Sequence, residues 1–152
     1  MANSDAVAQL YLDSFSNARV AYATSVSLAT AGNAVANLAI TSGGLTNGGA
    51  VSNSGAVIIR KVSATILSGS VSSAYVTITT SNDGNASNAV VANVALSSLS
   101  ASGKFQDFTI ASPYTTTVLS GSTSSCLFVN VTTPSGNSNV VNFNVYGDVV
   151  QF

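Results

Sequence analysis

The amino-acid sequence predicts an all-β fold, an antiparallel β-sandwich of about eight to nine strands. Three observations carry that expectation. Apolar residues alternate with polar ones at period two through most of the chain, which puts one apolar face on each strand. Turn-forming Gly, Asn, Asp and Ser clusters recur about every 8–14 residues. No segment after residue 15 holds a helical spacing with caps.

The opening segment, 1–15, reads as an N-terminal arm. Val7, Leu10, Tyr11 and Phe15 fall at helical spacing, while Leu10 and Leu12 also fit a period of two, so its conformation stays open. The domain proper is 16–152. From Arg19 the chain reads as a strand, with Val20, Tyr22, Val26 and Leu28 on one face and Ala21, Ala23, Ser25 and Ser27 on the other. Gly32-Asn33 marks a turn. Residues 34–41 follow as a second strand, although their alanines also allow a short helix. The glycine-rich stretch 42–55 reads as a long loop or a small hairpin at Asn47-Gly48.

Residues 56–67 form a long strand in which Arg60 and Lys61 point to opposite faces. One of them must then lie on an apolar face, so an edge, an ion pair or a bulge is expected there. In 71–81, Ala74, Val76 and Ile78 oppose Tyr75, Thr77 and Thr79, and Asn82-Asp83-Gly84-Asn85 is a strong turn. Val90, Ala92, Val94 and Leu96 share a face of 89–97. Two shorter strands, 104–110 and 114–119, flank Ala111-Ser112-Pro113.

The C-terminal stretch 126–152 reads as an antiparallel hairpin about the turn at 134–138. Leu127, Val129 and Val131 lie on one apolar face and Val141, Phe143 and Val145 on the other strand's. A bulge at Gly147-Asp148 would carry Val150 and Phe152 onto that face. The core expected from these patterns is Val20, Tyr22, Val26, Val76, Ile78, Leu127, Val129, Val131, Val141, Phe143 and Val145. Among sandwiches a jelly roll fits the count and length. An immunoglobulin-type domain fits less well, because the Cys…Trp…Cys core is absent.

Composition narrows the function. Charged side chains are 6% of the 152 residues and the formal net charge is −1, against about 25% charged in an ordinary soluble domain. Low net charge favours association. Nucleic acid is not an expected partner, because its affinity rests on neutralised phosphates. No membrane span is expected, since no run of apolar residues is long enough for a helix to cross, and no signal peptide is visible. Cys126 is the lone cysteine, read as a small buried hydrophobe.

There is no His and no Glu. Triads built on His therefore fail, and general acid–base work falls to Asp, Lys and Tyr that form no cluster in the sequence. The expectation is a chain that is not an enzyme, with no cofactor and no metal. Asn82-Asp83-Gly84-Asn85 is the nearest approach to a calcium loop, yet it lacks the spaced acidic ligands. Asn85-Ala86-Ser87 and Asn130-Val131-Thr132 match the glycosylation pattern and read as coincidences of an Asn- and Ser-rich chain. What remains is surface: Tyr75, Phe128 and Tyr146 fall on outward strand faces, and the arm offers Val7, Leu10, Tyr11, Leu12 and Phe15. These eight residues are the candidate partner-binding set.

The run SNARVAYATSVSLATAGNAVANLAITSGGLTNGG at 16–49 resembles the N-terminal part of small virion proteins of tailed bacteriophages. The small β-domain, near-zero charge and Ala/Ser/Val/Thr/Asn texture of the whole chain are similar to that group as well. The resemblance implies a capsid decoration or cement protein on the virion surface. It also implies a homo-oligomer, as a trimer, whose partners are the major capsid protein or other virion subunits. The alternative is a tail or fibre component, or a secreted jelly-roll module, that binds host-surface carbohydrate.

Overall fold

The computed structural model describes residues 18–40, 55–110, 114–118 and 125–151. Within them nine strands form: β1 (Ala18–Ser27), β2 (Gly32–Ile40), β3 (Gly55–Ile66), β4 (Tyr75–Thr79), β5 (Ala89–Ala95), β6 (Phe105–Phe108), β7 (Tyr114–Val118), β8 (Ser125–Thr133) and β9 (Val140–Gln151). They build two antiparallel sheets. Sheet A has the order β1-β9-β3-β6, with β7 also on β3; sheet B has the order β2-β8-β4-β5. The chain is an all-β sandwich. No helix among the described residues is long and apolar enough to cross a membrane.

The core lies between the sheets. Val62, Ala64 and Ile66 of β3, and Val141, Phe143 and Val145 of β9, face Leu38 and Ile40 of β2, Val76 and Ile78 of β4, and Leu127, Val129 and Val131 of β8. Nine of the eleven expected core residues are buried there, and the other two are corrected by bulges. In β1 the pairing with β9 slips between Arg19 and Ala21 and again between Ala23 and Val26. Each slip inserts residues without a partner and turns the following side chains over. Ala21 is therefore buried, Val20 only partly, and Tyr22 is 56% exposed on the outer face. Ser25, at φ 54, sits in the second slip. The same effect in β5 buries Val91, leaving Ala92 exposed and Val90 and Val94 half-buried.

The strands that read as a C-terminal hairpin are not paired with each other. β8 lies in sheet B between β2 and β4, and β9 lies in sheet A between β1 and β3. Residues 134–139 arch from one sheet to the other, so the two apolar faces meet across the core instead of lying side by side. The arch is pinned at its end of the sandwich: Ser135 N donates to Leu28 O at 2.8 Å, and Asn137 Nδ2 to Ser70 O at 2.8 Å. β1 and β2 are joined the same way, by a bend at 28–31. Gly32-Asn33, expected as the turn, begins β2, and 34–40 is strand throughout. β4 and β5 do form the expected hairpin, closed by the Asp83-Gly84 turn with Gly84 at φ +71.

The clash expected at Arg60 and Lys61 resolves as a bulge with an ion pair. β3 slips against β9 between Ile59 and Lys61, so Arg60 is the extra residue. Both cations reach the outer face of sheet A instead of opposite faces. Arg60 pairs with Asp148 at 2.7 Å, and Lys61 stands beside Tyr146. The irregularity expected at Gly147-Asp148 thus belongs to β3 and β1, while β9 keeps its alternation through buried Gly147. The side chain of Val150 and all of Phe152 lie outside what is described. So do the segment 1–15 expected as an arm, residues 41–54 of the stretch expected as a glycine-rich loop or hairpin, and the side chain of Cys126.

Candidate interaction surfaces

Two sheets back to back leave two outer faces, and their chemistry differs. Seven charged residues fall among those described, and Arg19, Arg60, Lys61, Asp107 and Asp148 all lie on the outer face of sheet A. Asp83 and Lys104 sit in turns. The outer face of sheet B therefore carries no charge among its described residues. It is laid with Asn37 and Ala39 of β2, Phe128, Asn130 and Thr132 of β8, and Tyr75, Thr77 and Thr79 of β4.

Sheet B's outer face is closed over one region. Gly32 pairs with Val131 and Ala36 with Val129, so residues 33–35 form an enlarged bulge with Ala34 at φ 49. The Asn130 side chain fills it. Its Oδ1 accepts from Ala34 N at 2.8 Å, and its Nδ2 donates to Thr79 Oγ1 at 2.9 Å and Thr77 O at 3.3 Å. Asn130 is 2% exposed, and Thr77 and Thr79 are buried with it. Outward-pointing positions are thus buried where the bulge lies over them. A buried Asn tied on both ends of its amide is a structural bolt, and its place in a glycosylation pattern is a coincidence of sequence.

The turn beside it is self-contained. Asp83 Oδ1 accepts from Ser81 Oγ and, at 3.0 Å, from Asn85 N. The Ser81 hydroxyl first, then the Asn85 N–H, hold the Asp83 carboxyl below its ordinary value. Asn33 Nδ2 donates to Asp83 O at 2.8 Å and ties the β2 bulge to the turn. No group of three or more potential metal ligands occurs among the described residues.

The aromatic candidates separate. Tyr75 (40% exposed) and half-buried Phe128 share the sheet B face. Their partners Thr133 and Thr79 set them four strand positions apart, roughly 13 Å along the sheet. Tyr146 is on the opposite side of the molecule, on sheet A, with the Lys61 ammonium 5.1 Å from its ring centre. Val7, Leu10, Tyr11, Leu12 and Phe15 lie outside the described residues.

Sheet A's outer face holds residues that sequence reasoning missed. Arg19 pairs with Tyr146, and Tyr146 with Lys61, in one cross-strand row. Tyr22, Asn144, Ser63 and Asp107 form the next, and Asn142, Thr65 and Phe105 a third. The Arg19 guanidinium lies 4.5 Å from the Tyr22 ring centre and donates to Asn144 Oδ1 at 3.4 Å. Tyr22 reads as core from its sequence because the β1 bulges hide its phase. The tandem Asn-x-Asn at 142–144, two polar residues between the valines and phenylalanine of β9, is the sequence signal for this face. No protein-family model, curated protein or solved structure matches the chain.

Proposed function

We propose that the sandwich is of the jelly-roll type. On this reading the chain is a non-enzymatic structural protein of a virion, a decoration or cement subunit that sits as a homotrimer on the shell of a phage head. The strand order supports the first part. Six of the connections, β1–β2, β2–β3, β3–β4, β5–β6, β7–β8 and β8–β9, join strands of different sheets, and β6 with β7 follow one edge of β3 as a single interrupted strand, so that each sheet counts four strand positions. That chain path supports a reading as the double Greek key of jelly rolls, an architecture that serves viral capsids and also lectins.

The observation that carries the role is the outer face of sheet B, without charge among its described residues, with its Tyr75 and Phe128. Interface cores are depleted of charge and enriched in Tyr and Phe. A neutral face can dock on a repeating protein lattice without desolvating ions. The shell protein is the partner and the virion surface the location on this reading, with the apolar arm at 1–15 as a second point of attachment to a neighbour.

Mass spectrometry of purified particles tests it. A copy number in the range of the shell subunit is expected, together with a trimer by solution mass. Raising salt from about 0.1 to about 1 M should not strip the protein, because only ion-based attachment is screened, whereas Tyr75→Asp should release it. Absence from particles would refute the reading, and a few copies per particle would move the protein to a tail or fibre.

A further inference from the structure

The described strands give the two sheets four edges, and three of these are blunted against pairing with another chain. β1 carries Arg19 and slips twice against β9, with Ser25 at φ 54 in the second slip. β5 slips twice against β4. β6 and β7 share one edge, are four and five residues long, carry Asp107, and are parted by a segment that contains Pro113. Short strands, bulges, charge and proline are the devices that keep sheet edges from joining. β2 departs from this pattern. Its nine residues hold no charge and no proline. Past the bulge at 33–35, residues 36–40 pair with 129–125 one for one, without a slip. Among the described residues β2 pairs with β8 alone. In an antiparallel ladder about every second residue turns its N–H and C=O away from its partner strand. Residues 36–40 therefore direct backbone donors and acceptors to the side away from β8.

We propose that residues 36–40 of β2 pair antiparallel with the same residues of a second copy, about a two-fold axis. The two four-stranded B sheets then join into one of eight strands. The segment is self-complementary. With the axis at Leu38, Ala36 of one copy stands opposite Ile40 of the other, Leu38 opposite Leu38, and Asn37 opposite Ala39. Leu38 and Ile40 are buried on the inner face with Ala36 partly buried beside them, and Asn37 and Ala39 are exposed on the outer face. Apolar inner residues thus meet apolar inner residues, small outer ones meet small outer ones, and no like charges oppose each other. Main-chain hydrogen bonds supply the affinity, as in other cases of strand addition. The contact is isologous and closes on itself. Its axis stands perpendicular to the sheet, so the neutral outer faces of both copies point to the same side and can rest on one lattice together. A two-fold contact is separate from a three-fold one. On the virion reading it links one trimer to the next, and it does not depend on that reading.

The test is sedimentation velocity of the full-length protein from about 1 to about 100 µM, the range of a small interface. The mass should double across that range, and hydrogen exchange at 36–40 should slow in step with it. Asn37→Lys and Ala39→Lys, which install the missing edge charge at exposed positions, should each weaken the doubling by about tenfold or more. Asn37→Ser, uncharged, should keep it. Ala92→Lys, exposed on β5 at the other edge of sheet B, should leave it unchanged. The two lysine variants are independent, so misfolding of one leaves the other as the test. A constant mass, a doubling that survives both lysine variants, or one lost in Ala92→Lys would overturn the proposal. So would a step in mass other than twofold, which would assign a head-to-tail contact. Particle copy number is read separately, so failure here and failure of the virion reading are distinguishable.

Discussion

Phe143→Ala probes the centre of the sandwich. Phe143 is fully buried in the middle of β9, and its cross-strand neighbours are Ala23 on β1 and Ala64 on β3. One ring therefore spans the space that three side chains would share, and it meets Phe108 with ring centres 6.4 Å apart. Truncation would leave three alanines in a row across sheet A and take from Phe108 the ring it stacks on. Loss of a fully buried Phe from the apolar phase costs about 1.5–3 kcal/mol. The unfilled cavity brings the total to about 3–5 kcal/mol. For a chain of this size that lowers the thermal midpoint by roughly 6–20 °C, at about 2–4 °C per kcal/mol. Urea unfolding followed by circular dichroism measures it directly, as a midpoint shift at constant slope. Phe143→Leu, which keeps most of the volume, should lose less than half as much. A Phe143→Ala cost below about 1 kcal/mol would mean that the sheets do not close on this ring, and the face assignment of β9 would fall with it.

Other perturbations separate the remaining elements. At Gly147 a Cβ would run into the carbonyl oxygen of Ile58 and stand 3.1 Å from Ile59 Cα, all backbone of β3. Gly147→Ala should therefore cost about 1–3 kcal/mol and raise hydrogen exchange of the Ile58 and Ile59 amides, which an unaltered exchange map would disprove. Asn130→Ala strips the partner from Ala34 N inside the β2 bulge; a loss of about 1–3 kcal/mol in chemical unfolding is expected, and a neutral result would show the bulge to be held by something else. Asp83 is depressed in the folded state, so its contribution is present above the unfolded carboxyl value of about 3.9 and disappears as pH falls through the lower folded value. NMR titration should place Asp83 below 3.8, and Ser81→Ala should move it upward; a carboxyl already at the ordinary value would contradict the Ser81 bond.

The sequence alone determined which residues could share a strand face. Period two is a local property of the backbone, so Val141, Phe143 and Val145, or Leu127, Val129 and Val131, declare their burial without a partner. The Asp83-Gly84 turn was legible for the same reason, since a left-handed φ at a glycine and an Asx bond involve only neighbours. The Arg60-Lys61 pair declared an irregularity, because adjacent cations cannot both be accommodated by strict alternation.

What the tertiary structure decided is which sheet each strand joins. The inner faces of sheets A and B are equally apolar, so β8 and β9 carry no mark that separates an arch from a hairpin. The difference lies in pairing with β2, β4, β1 and β3, distant in the chain. Bulges were hidden as well, since an inserted residue in β1 or β5 is defined only against the register of its partner. One such insertion moved Tyr22 from core to surface. The two outer faces, one neutral and one lined by Arg19, Tyr22, Asn144 and Phe105, exist only after β1, β9, β3 and β6 are laid side by side. A side chain's face is set by its own strand, but its neighbours on that face are set by the register of the sheet.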